Sequence, residues 1–271
     1  MSQAEEYILG TSLTEQKRLL KQGALFEAEA CWLLDRVGLQ AGGRAIDLGC
    51  GPLGILHLLA ERVGPTGEVV GVEREARLLD MARTIVAERH LPNVQVLQGD
   101  ATATGLPRAA FDFVHERLVL MMTPHTERVL AEMVALTRSG GVVAVQDLDV
   151  VSLVCEPPHA AWLPLLTTYQ RVYQARGLDG YLGRRLPGLL RAAGLVEVQV
   201  KVHAQVSHAG EFGQMLFLEI IEGLRDHIIA DGLHTPDDLT ALVEALRGHL
   251  NTPGTFVVQP LLFQVWGRKP V

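Results

Sequence analysis

The chain has 271 residues, 48% hydrophobic and 20% charged, which is the balance of a globular protein with one large domain or two small ones. Its formal net charge of -7 and its lack of an extended basic cluster argue against a nucleic-acid partner, because phosphate contacts need a positive surface. The three cysteines form no Cys-x-x-Cys pair, so neither a disulfide framework nor a zinc site is predicted.

The hydrophobic residues are spread along the chain rather than gathered into long runs. The first six residues are polar and acidic, unlike a signal peptide, and no apolar stretch approaches the roughly 18 residues that a membrane span needs. A cytoplasmic protein without a membrane span is therefore expected.

The predicted elements divide the chain into three parts. Residues 1–40 are predicted to form a helical cap, with one or two amphipathic helices over Thr14–Ala30 that cross the edge of a sheet or the mouth of a site. Residues 41–156 alternate strands with helices and form the predicted binding core. The strands are Arg44–Leu48, Glu68–Glu73, Val94–Gln98, Phe111–His115 and Val142–Gln146, and the helices between them are Ile55–Val63, Ala76–Arg89 and Pro124–Thr137.

Residues 157–271 are predicted to add substrate-side helices and two closing strands to the same domain. The helices are Ala160–Ala175, Leu182–Ala193, Phe212–Ile229 and Pro236–Leu250, and the strands are Val196–Val206 and Phe256–Trp266. Pro260 indicates an edge or a bulge in the last strand, because proline has no N–H to donate. The whole pattern predicts an α/β fold with a seven-stranded, mostly parallel sheet, helices on both faces, and a cap formed by the N-terminal helices and the helical insert between the last two strands.

The first strand is followed by a glycine-rich loop. Gly49-Cys50-Gly51-Pro52-Leu53-Gly54 satisfies the G-x-G-x-x-G pattern between a strand and a helix. By itself the pattern leaves three alternatives open: a connecting turn, the pyrophosphate site of a nicotinamide-dependent dehydrogenase, or a site for another nucleoside cofactor.

Carboxylates at the strand ends help to distinguish these alternatives for the glycine-rich loop. Asp47 lies just before the loop, where its charge would repel a pyrophosphate and attract a ligand that carries an amino group or a sulfonium. Glu73 ends the second strand and can accept two hydrogen bonds from a ribose diol. Asp100 follows the third strand, where it would either accept from an adenine amine or cap a turn.

These segments together resemble a known family. Ala45-Ile46-Asp47-Leu48-Gly49-Cys50-Gly51, Val72-Glu73, Gln98-Gly99-Asp100-Ala101 and Phe111-Asp112-Phe113-Val114 resemble, in order and spacing, the motifs of class I S-adenosylmethionine-dependent methyltransferases. The likeness is to the bacterial ubiquinone/menaquinone-biosynthesis type and its small-molecule subgroup. The chain departs from the family at Leu53, where glycine is frequent.

The resemblance implies a Rossmann-like fold and S-adenosylmethionine as the cofactor. It places Asp47 beside the methionine amino group, Glu73 on the ribose hydroxyls and Arg74 beside the adenine, and it puts cofactor or substrate contacts in the stretch His115–Arg117. The cofactor-binding residues that it implies are Asp47, Gly49, Cys50, Gly51, Glu73, Arg74, Asp100, Ala101 and Glu116.

Methyl transfer depends mainly on alignment and exclusion of water, so a catalytic base is needed only for a protonated nucleophile. The candidates are Tyr7, His115 and Asp147, with His125 and His203 weaker. Asp147 and Asp149 resemble half of a metal site, but no third ligand is evident, and no metal is predicted.

The predicted reaction is methyl transfer to an oxygen, nitrogen or carbon of a small, hydrophobic or aromatic metabolite, by a monomer or homodimer in secondary metabolism. Aromatic and apolar residues of the later helices are expected to shape the substrate pocket: Trp162, Tyr169, Tyr173, Phe212, Met215 and Phe217. The alternatives are a protein of the same fold that binds S-adenosylmethionine for a non-methylating or regulatory role, and an NAD-dependent dehydrogenase.

Overall fold

The computed structural model describes residues 7–271, which begin with a pair of helices. α1 (Leu13–Leu25) begins after Ser12, whose hydroxyl accepts a hydrogen bond from the Glu15 N–H, and α2 (Glu27–Val37) ends at Gly38 in the left-handed conformation. The prediction of one or two helices ending at Ala30 was therefore too short, since the second helix continues to Val37.

The central part of the chain alternates strands and helices as predicted. The strands are β1 (Arg44–Leu48), β2 (Glu68–Glu73), β3 (Val94–Gln98), β4 (Phe111–Arg117) and β5 (Thr137–Asp149), and the helices are α3 (Leu56–Val63), α4 (Ala76–Glu88) and α5 (Thr126–Leu136). β4 and β5 extend beyond their predicted ends because each pairs with a neighbour on both sides, which keeps the backbone extended.

The last part adds short strands and the remaining helices. In chain order these are β6 (Val154–Glu156), α6 (Trp162–Ala175), α7 (Leu182–Ala192), β7 (Val196–His203), β8 (Val206–His208), α8 (Phe212–Gly223), α9 (Arg225–Ala230), α10 (Pro236–Leu250), β9 (Phe256–Val258) and β10 (Leu261–Arg268).

The main sheet has seven strands in the order β3-β2-β1-β4-β5-β10-β7. β1 to β5 are parallel, whereas β10 runs antiparallel to both β5 and β7. This confirms the predicted mostly parallel sheet, closed by an antiparallel extension. The carboxyl ends of β1, β2 and β4 consequently lie at one edge, with Asp47 opposite His115 in the register.

Consecutive residues of β4 show that both faces of the sheet are covered. Phe113 packs in one buried cluster with Leu33 and Leu59, while Val114 packs in another with Leu130. Side chains alternate across a strand, so the two clusters lie on opposite faces. Within residues 7–271 no helix is both long enough and apolar enough to cross a membrane.

The two late strands differ from the prediction because each is broken. Residues 204–205 separate β7 from β8, and Gln259-Pro260 separates β9 from β10. β8 and β9 leave the main sheet and join β6 in a three-stranded antiparallel sheet. The predicted helix Phe212–Ile229 is likewise divided, since α8 ends at Gly223 and α9 begins at Arg225.

Candidate functional site

A cavity of about 900 Å³ lies at the carboxyl edge of β1, β2 and β4. Its wall includes the glycine loop and the strand ends, together with residues of α1, of α6 and of the segment after β4. The predicted cofactor-binding residues that line it are Asp47, Gly49, Cys50, Gly51, Glu73, Arg74, Asp100 and Ala101; Glu116 does not line it.

Two glycines of the loop have no room for a side chain. A Cβ at Gly49 would lie 2.4 Å from Cγ2 of Val119, and one at Gly54 would lie 2.1 Å from Oδ2 of Asp47. Both residues also have positive φ, 64° and 53°, a conformation that side chains disfavour. The loop is therefore held close against the strand ends.

Asp47 is 1% exposed and is held from behind the cavity wall. Its Oδ1 lies 2.7 Å from Nδ1 of His115, and its Oδ2 accepts a hydrogen bond from the Ile55 N–H at 3.1 Å. The carboxylate is thus fixed in orientation by β4 and by the start of α3.

His115 belongs to a row of hydrogen-bonded side chains that crosses the sheet, which we call the polar row: Asp47, His115, Gln146, Gln264 and Glu29. Nε2 of His115 lies 3.1 Å from Oε1 of Gln146, whose Nε2 donates to Oε1 of Gln264 at 2.9 Å. Nε2 of Gln264 donates in turn to Oε2 of Glu29 at 3.0 Å. Since an ionised carboxylate only accepts, Glu29 orients the amide of Gln264, and Gln264 in turn orients that of Gln146.

Glu73 uses both oxygens to hold the neighbouring backbone. Oε2 accepts from the Gly51 N–H and Oε1 from the Glu75 N–H, each at 2.8 Å. Burial raises the pKa of Glu73, while these backbone donors oppose the rise. A carboxylate has about four acceptor positions, so further positions remain for a ligand in the cavity.

Asp100 makes a turn of its own at the rim of the cavity. Its Oδ1 accepts from the N–H and the hydroxyl of Thr102 at 2.7 and 2.8 Å. Burial opposes ionisation of Asp100, but the bonds from Thr102 and the charges of Arg74 and Arg128 outweigh it and hold the pKa below its ordinary value. Asp100 therefore stays ionised while also facing the cavity.

The three catalytic candidates occupy different places, and only Tyr7 lines the cavity. Its hydroxyl donates to Oε1 of Glu15 at 3.0 Å, and burial together with the Glu15 charge raises its pKa. His115 and Asp147 are both 0% exposed and lie behind the wall. Of the weaker histidines, His125 lines the cavity, whereas His203 lies on the far side of the polar row, 3.0 Å from Glu29.

The buried carboxylates Glu116 and Asp147 hold the segment that follows β4. Glu116 accepts from the N–H groups of Val119 and Leu120 at 2.8 and 3.3 Å, and Asp147 accepts from the Met121 N–H at 3.2 Å. Burial raises the pKa of both, that of Asp147 to about 8. These bonds fix a segment that contributes Leu118, at φ 60°, to the cavity wall.

Asp147 and Asp149 do not share a site. Asp149 is 1% exposed and forms an ion pair with Arg184. Over residues 7–271, no group of three or more His, Cys, Asp or Glu side chains is arranged to hold a metal ion.

Several cavity residues were not identified from the sequence, because no local motif marks them: Arg18, Gln22 and His57. Arg18 forms a two-pronged ion pair with Glu15 at 2.6 and 2.7 Å and donates to Gln22 at 2.7 Å. Of the six residues expected in the substrate pocket, only Tyr169 and Tyr173 line the cavity. Trp162 and Phe217 pack in the core instead, where α6 meets α8.

The fold places a cavity with a glycine loop and acidic side chains at the carboxyl ends of the first strands, the position at which α/β proteins commonly bind nucleoside cofactors. The family model described as "Methyltransferase domain" matches residues 39–180, and the chain belongs to that family. This family uses S-adenosylmethionine, so the predicted enzyme class and cofactor are confirmed, and the dehydrogenase alternative is rejected.

Two curated relatives of the chain are also methyltransferases. The chain is 29% identical over 192 residues to a demethylmenaquinone methyltransferase of Anoxybacillus flavithermus, a match that covers 65% of this chain and 81% of the relative. It is 33% identical over 121 residues to a demethylmenaquinone methyltransferase of a Geobacillus species, covering 45% of this chain and 52% of that one.

Solved structures share the fold. Phosphoethanolamine N-methyltransferase 2 of Haemonchus contortus, in complex with S-adenosyl-L-methionine, gives a TM-score of 0.57 at 16% identity and covers 90% of this chain. This chain spans only 53% of that protein. The [4+2]-cyclase SpnF gives a TM-score of 0.52 at 21% identity, covering 89% of this chain and 79% of that one.

Proposed function

We propose that the protein transfers the methyl group of S-adenosylmethionine to an oxygen, nitrogen or carbon atom of a small hydrophobic or aromatic metabolite. The observation that carries this proposal is the continuity of the cavity. It joins the acidic strand ends and glycine loop to Tyr169, Tyr173 and the apolar segment after β4.

The residues present suit the cofactor. Gly49 and Gly54 bring the backbone close to the cavity, and the carboxylates Asp47, Glu73 and Asp100 offer acceptors for an amino group, a ribose diol and an adenine amine in that order along the sheet edge. The residues proposed to hold it are Asp47, Gly49, Cys50, Gly51, Glu73, Arg74, Asp100 and Ala101. Glu116 is proposed to act indirectly, through the segment that it fixes.

When bound, S-adenosylmethionine supplies a methyl group on a positively charged sulfur. The chain's own part is to align an acceptor with that position and to keep water out. α1 and α6 contribute to the lining of the cavity with side chains such as Arg18 and Tyr173.

The cavity tyrosines are poorly suited to remove a proton from the acceptor. Burial raises the pKa of Tyr7, Tyr169 and Tyr173, so at neutral pH each keeps its proton and acts as a hydrogen-bond donor. This favours an acceptor that is nucleophilic without a strong base, such as an acidic phenol, a hydroquinone or an amine. The demethylmenaquinone methyltransferase names of the relatives support an aromatic acceptor.

Two measurements test the proposal in sequence. Calorimetric titration with S-adenosylhomocysteine should show binding, whereas NADH should not bind. The protein is then incubated with S-adenosylmethionine and a panel of hydroquinones, phenols and aromatic amines, and release of S-adenosylhomocysteine is followed.

Binding of S-adenosylhomocysteine without its release on any acceptor, together with conversion of a compound that gains no methyl group, would favour a non-methylating role. The fold allows this alternative, since SpnF shares it. Failure of S-adenosylhomocysteine to bind would reject the proposal at its first step.

A further inference from the structure

Arg117 is an arginine of the cavity wall whose hydrogen-bonding capacity is largely unused. It ends β4 and lines the cavity. Its Nη1 is buried without a hydrogen-bond partner, and its Nη2 donates only to the Gly54 carbonyl at a long 3.4 Å. A guanidinium has five N–H donors, and the one hydrogen bond found for Arg117 among residues 7–271 is that of Nη2.

Arg18, a second arginine that lines this cavity, has hydrogen-bond partners for its guanidinium within the protein. Glu15 engages it with two short bonds and Gln22 with a third. Arg18 therefore has its counter-ion within the fold, whereas Arg117 has no comparable partner among residues 7–271.

The charges near Arg117 do not replace a partner. Burial lowers its pKa, and the charges of Asp47, Glu27 and Glu116 oppose that change. Each of these carboxylates is engaged elsewhere: Asp47 with His115 and Ile55, Glu116 with the segment after β4, and Glu27 near His57. A buried donor without a partner is costly, so the Nη1 of Arg117 is suited to an anion that enters through the cavity.

The position of Arg117 limits what that anion is. Its Nη2 lies beside the Gly54 carbonyl, and a Cβ at Gly23 of α1 would be 3.5 Å from it. Gly54 in turn lies against Asp47, since a Cβ at Gly54 would lie 2.1 Å from Oδ2 of Asp47. An acidic and a basic side chain thus lie next to each other on one wall, complementary to the ammonium and carboxylate of an amino acid.

We propose that Arg117 is the binding site for a carboxylate, and that this carboxylate belongs to the amino-acid end of S-adenosylmethionine. The inference rests on the proposed function, because it requires the cofactor to bind in this cavity. Arginine suits the task, since its planar fork matches the two oxygens of a carboxylate.

The experiment removes the carboxylate from the ligand and the guanidinium from the protein, each in turn. S-adenosylhomocysteine and its decarboxylated analogue, S-adenosyl-3-thiopropylamine, are titrated calorimetrically into the wild type, Arg117→Gln and Arg117→Lys. The wild type should bind the decarboxylated analogue at least about tenfold more weakly, because a charge-assisted pair is lost. Arg117→Gln should lose about tenfold in affinity for S-adenosylhomocysteine and under threefold for the analogue, and Arg117→Lys should recover part of the difference.

Arg128→Gln is the matched control. This exposed arginine also lines the cavity, on the side of Asp100, and its loss should leave the ratio of the two dissociation constants unchanged. Thermal unfolding of each variant without ligand checks that it is folded.

The possible outcomes are distinct. Equal losses for both ligands in Arg117→Gln, no loss for either, or a wild type that binds both equally would overturn the role of Arg117. If Arg117→Gln does not fold, the ligand preference of Arg117→Lys and of the wild type decides in the same way. A wild type that binds neither ligand would instead reject the proposed function.

Discussion

At the scale of single residues, the cavity tyrosines show how burial changes what a side chain does. The Tyr169 hydroxyl donates to that of Tyr173 at 3.0 Å, and Tyr173 donates to the Met122 sulfur at 3.1 Å. Burial raises the pKa of Tyr169 to about 12, and that of Tyr173 well above its ordinary value. Both hydroxyls therefore remain protonated, and the weak sulfur acceptor leaves Tyr173 ready to bind a better acceptor on a substrate.

Tyr173→Phe should raise the KM for the methyl acceptor about tenfold, because one hydrogen bond to the substrate is lost. Its affinity for S-adenosylhomocysteine should stay within about twofold, since the hydrogen bonds of the Tyr173 hydroxyl go to Tyr169 and Met122 and not to the glycine loop. Steady-state kinetics and calorimetry measure the two quantities. Tyr181→Phe, at an exposed position, is the control, and an unchanged KM in Tyr173→Phe would contradict the assignment.

At the scale of elements, the glycine loop and the polar row determine the position of Asp47. Gly54 of the loop lies against Oδ2 of Asp47, and Nδ1 of His115 lies 2.7 Å from its Oδ1. The two supports belong to different elements, so each can be tested by a substitution that leaves Asp47 in place.

Gly54→Ala should weaken binding of S-adenosylhomocysteine at least about tenfold, since an added methyl group forces either the loop or the carboxylate to move. Gly38→Ala is the control for backbone strain. Gly38 also has a positive φ, 71°, and a Cβ there would meet no atom within 4 Å, but Gly38 does not line the cavity. Equal losses in the two variants would show that strain, rather than contact with Asp47, limits binding.

Gln264→Leu interrupts the polar row between Gln146 and Glu29. The Gln146 amide and Glu29 would each lose a partner, which should lower the free energy of unfolding by about 1–3 kcal/mol. Urea denaturation measures the change. Gln199→Leu, an exposed substitution on the neighbouring β7, should stay within about 0.5 kcal/mol of the wild type, and a similarly small effect at Gln264 would contradict the structural role of the row.

At the scale of the whole molecule, the buried carboxylates couple stability to pH. Asp147 is 0% exposed, and burial raises its pKa to about 8, whereas an unfolded aspartate loses its proton near pH 4. Between these values the folded state binds the proton and the unfolded state does not. The contribution of Asp147 to stability therefore falls as the pH rises across that window.

Asp147→Asn should remove this pH dependence while keeping an oxygen that accepts from the Met121 N–H. The variant should gain stability relative to the wild type as the pH rises from 5 to 8, by about 1.4 kcal/mol for each unit of pKa shift that is removed. Denaturant titrations at several pH values measure the difference. A stability difference that does not change with pH would show that Asp147 is ionised throughout.

Much of the fold was predictable because its signals are local. The alternation of apolar strands and amphipathic helices over residues 44–149 places β1 to β4 and α3 to α5 close to their observed bounds and locates the central part of β5. The breaks at residues 204–205 and 259–260 were less predictable, because β8 and β9 leave the main sheet to pair with the distant β6. Pairing between segments far apart in the chain leaves little trace in local periodicity.

The sequence by itself determined the family, the parallel sheet and the acidic residues that follow its strands, because each depends on neighbours along the chain. The domain boundaries and the choice between monomer and homodimer stay predictions. Only the tertiary structure decided that Asp47, Glu73 and Asp100 line one cavity, while His115, Glu116 and Asp147 lie behind its wall. The tertiary structure also brought Arg18 and Arg117 to the same cavity, where Arg18 is paired with Glu15 and the Nη1 of Arg117 has no partner. Charge pairing depends on distances between elements, which no local motif records.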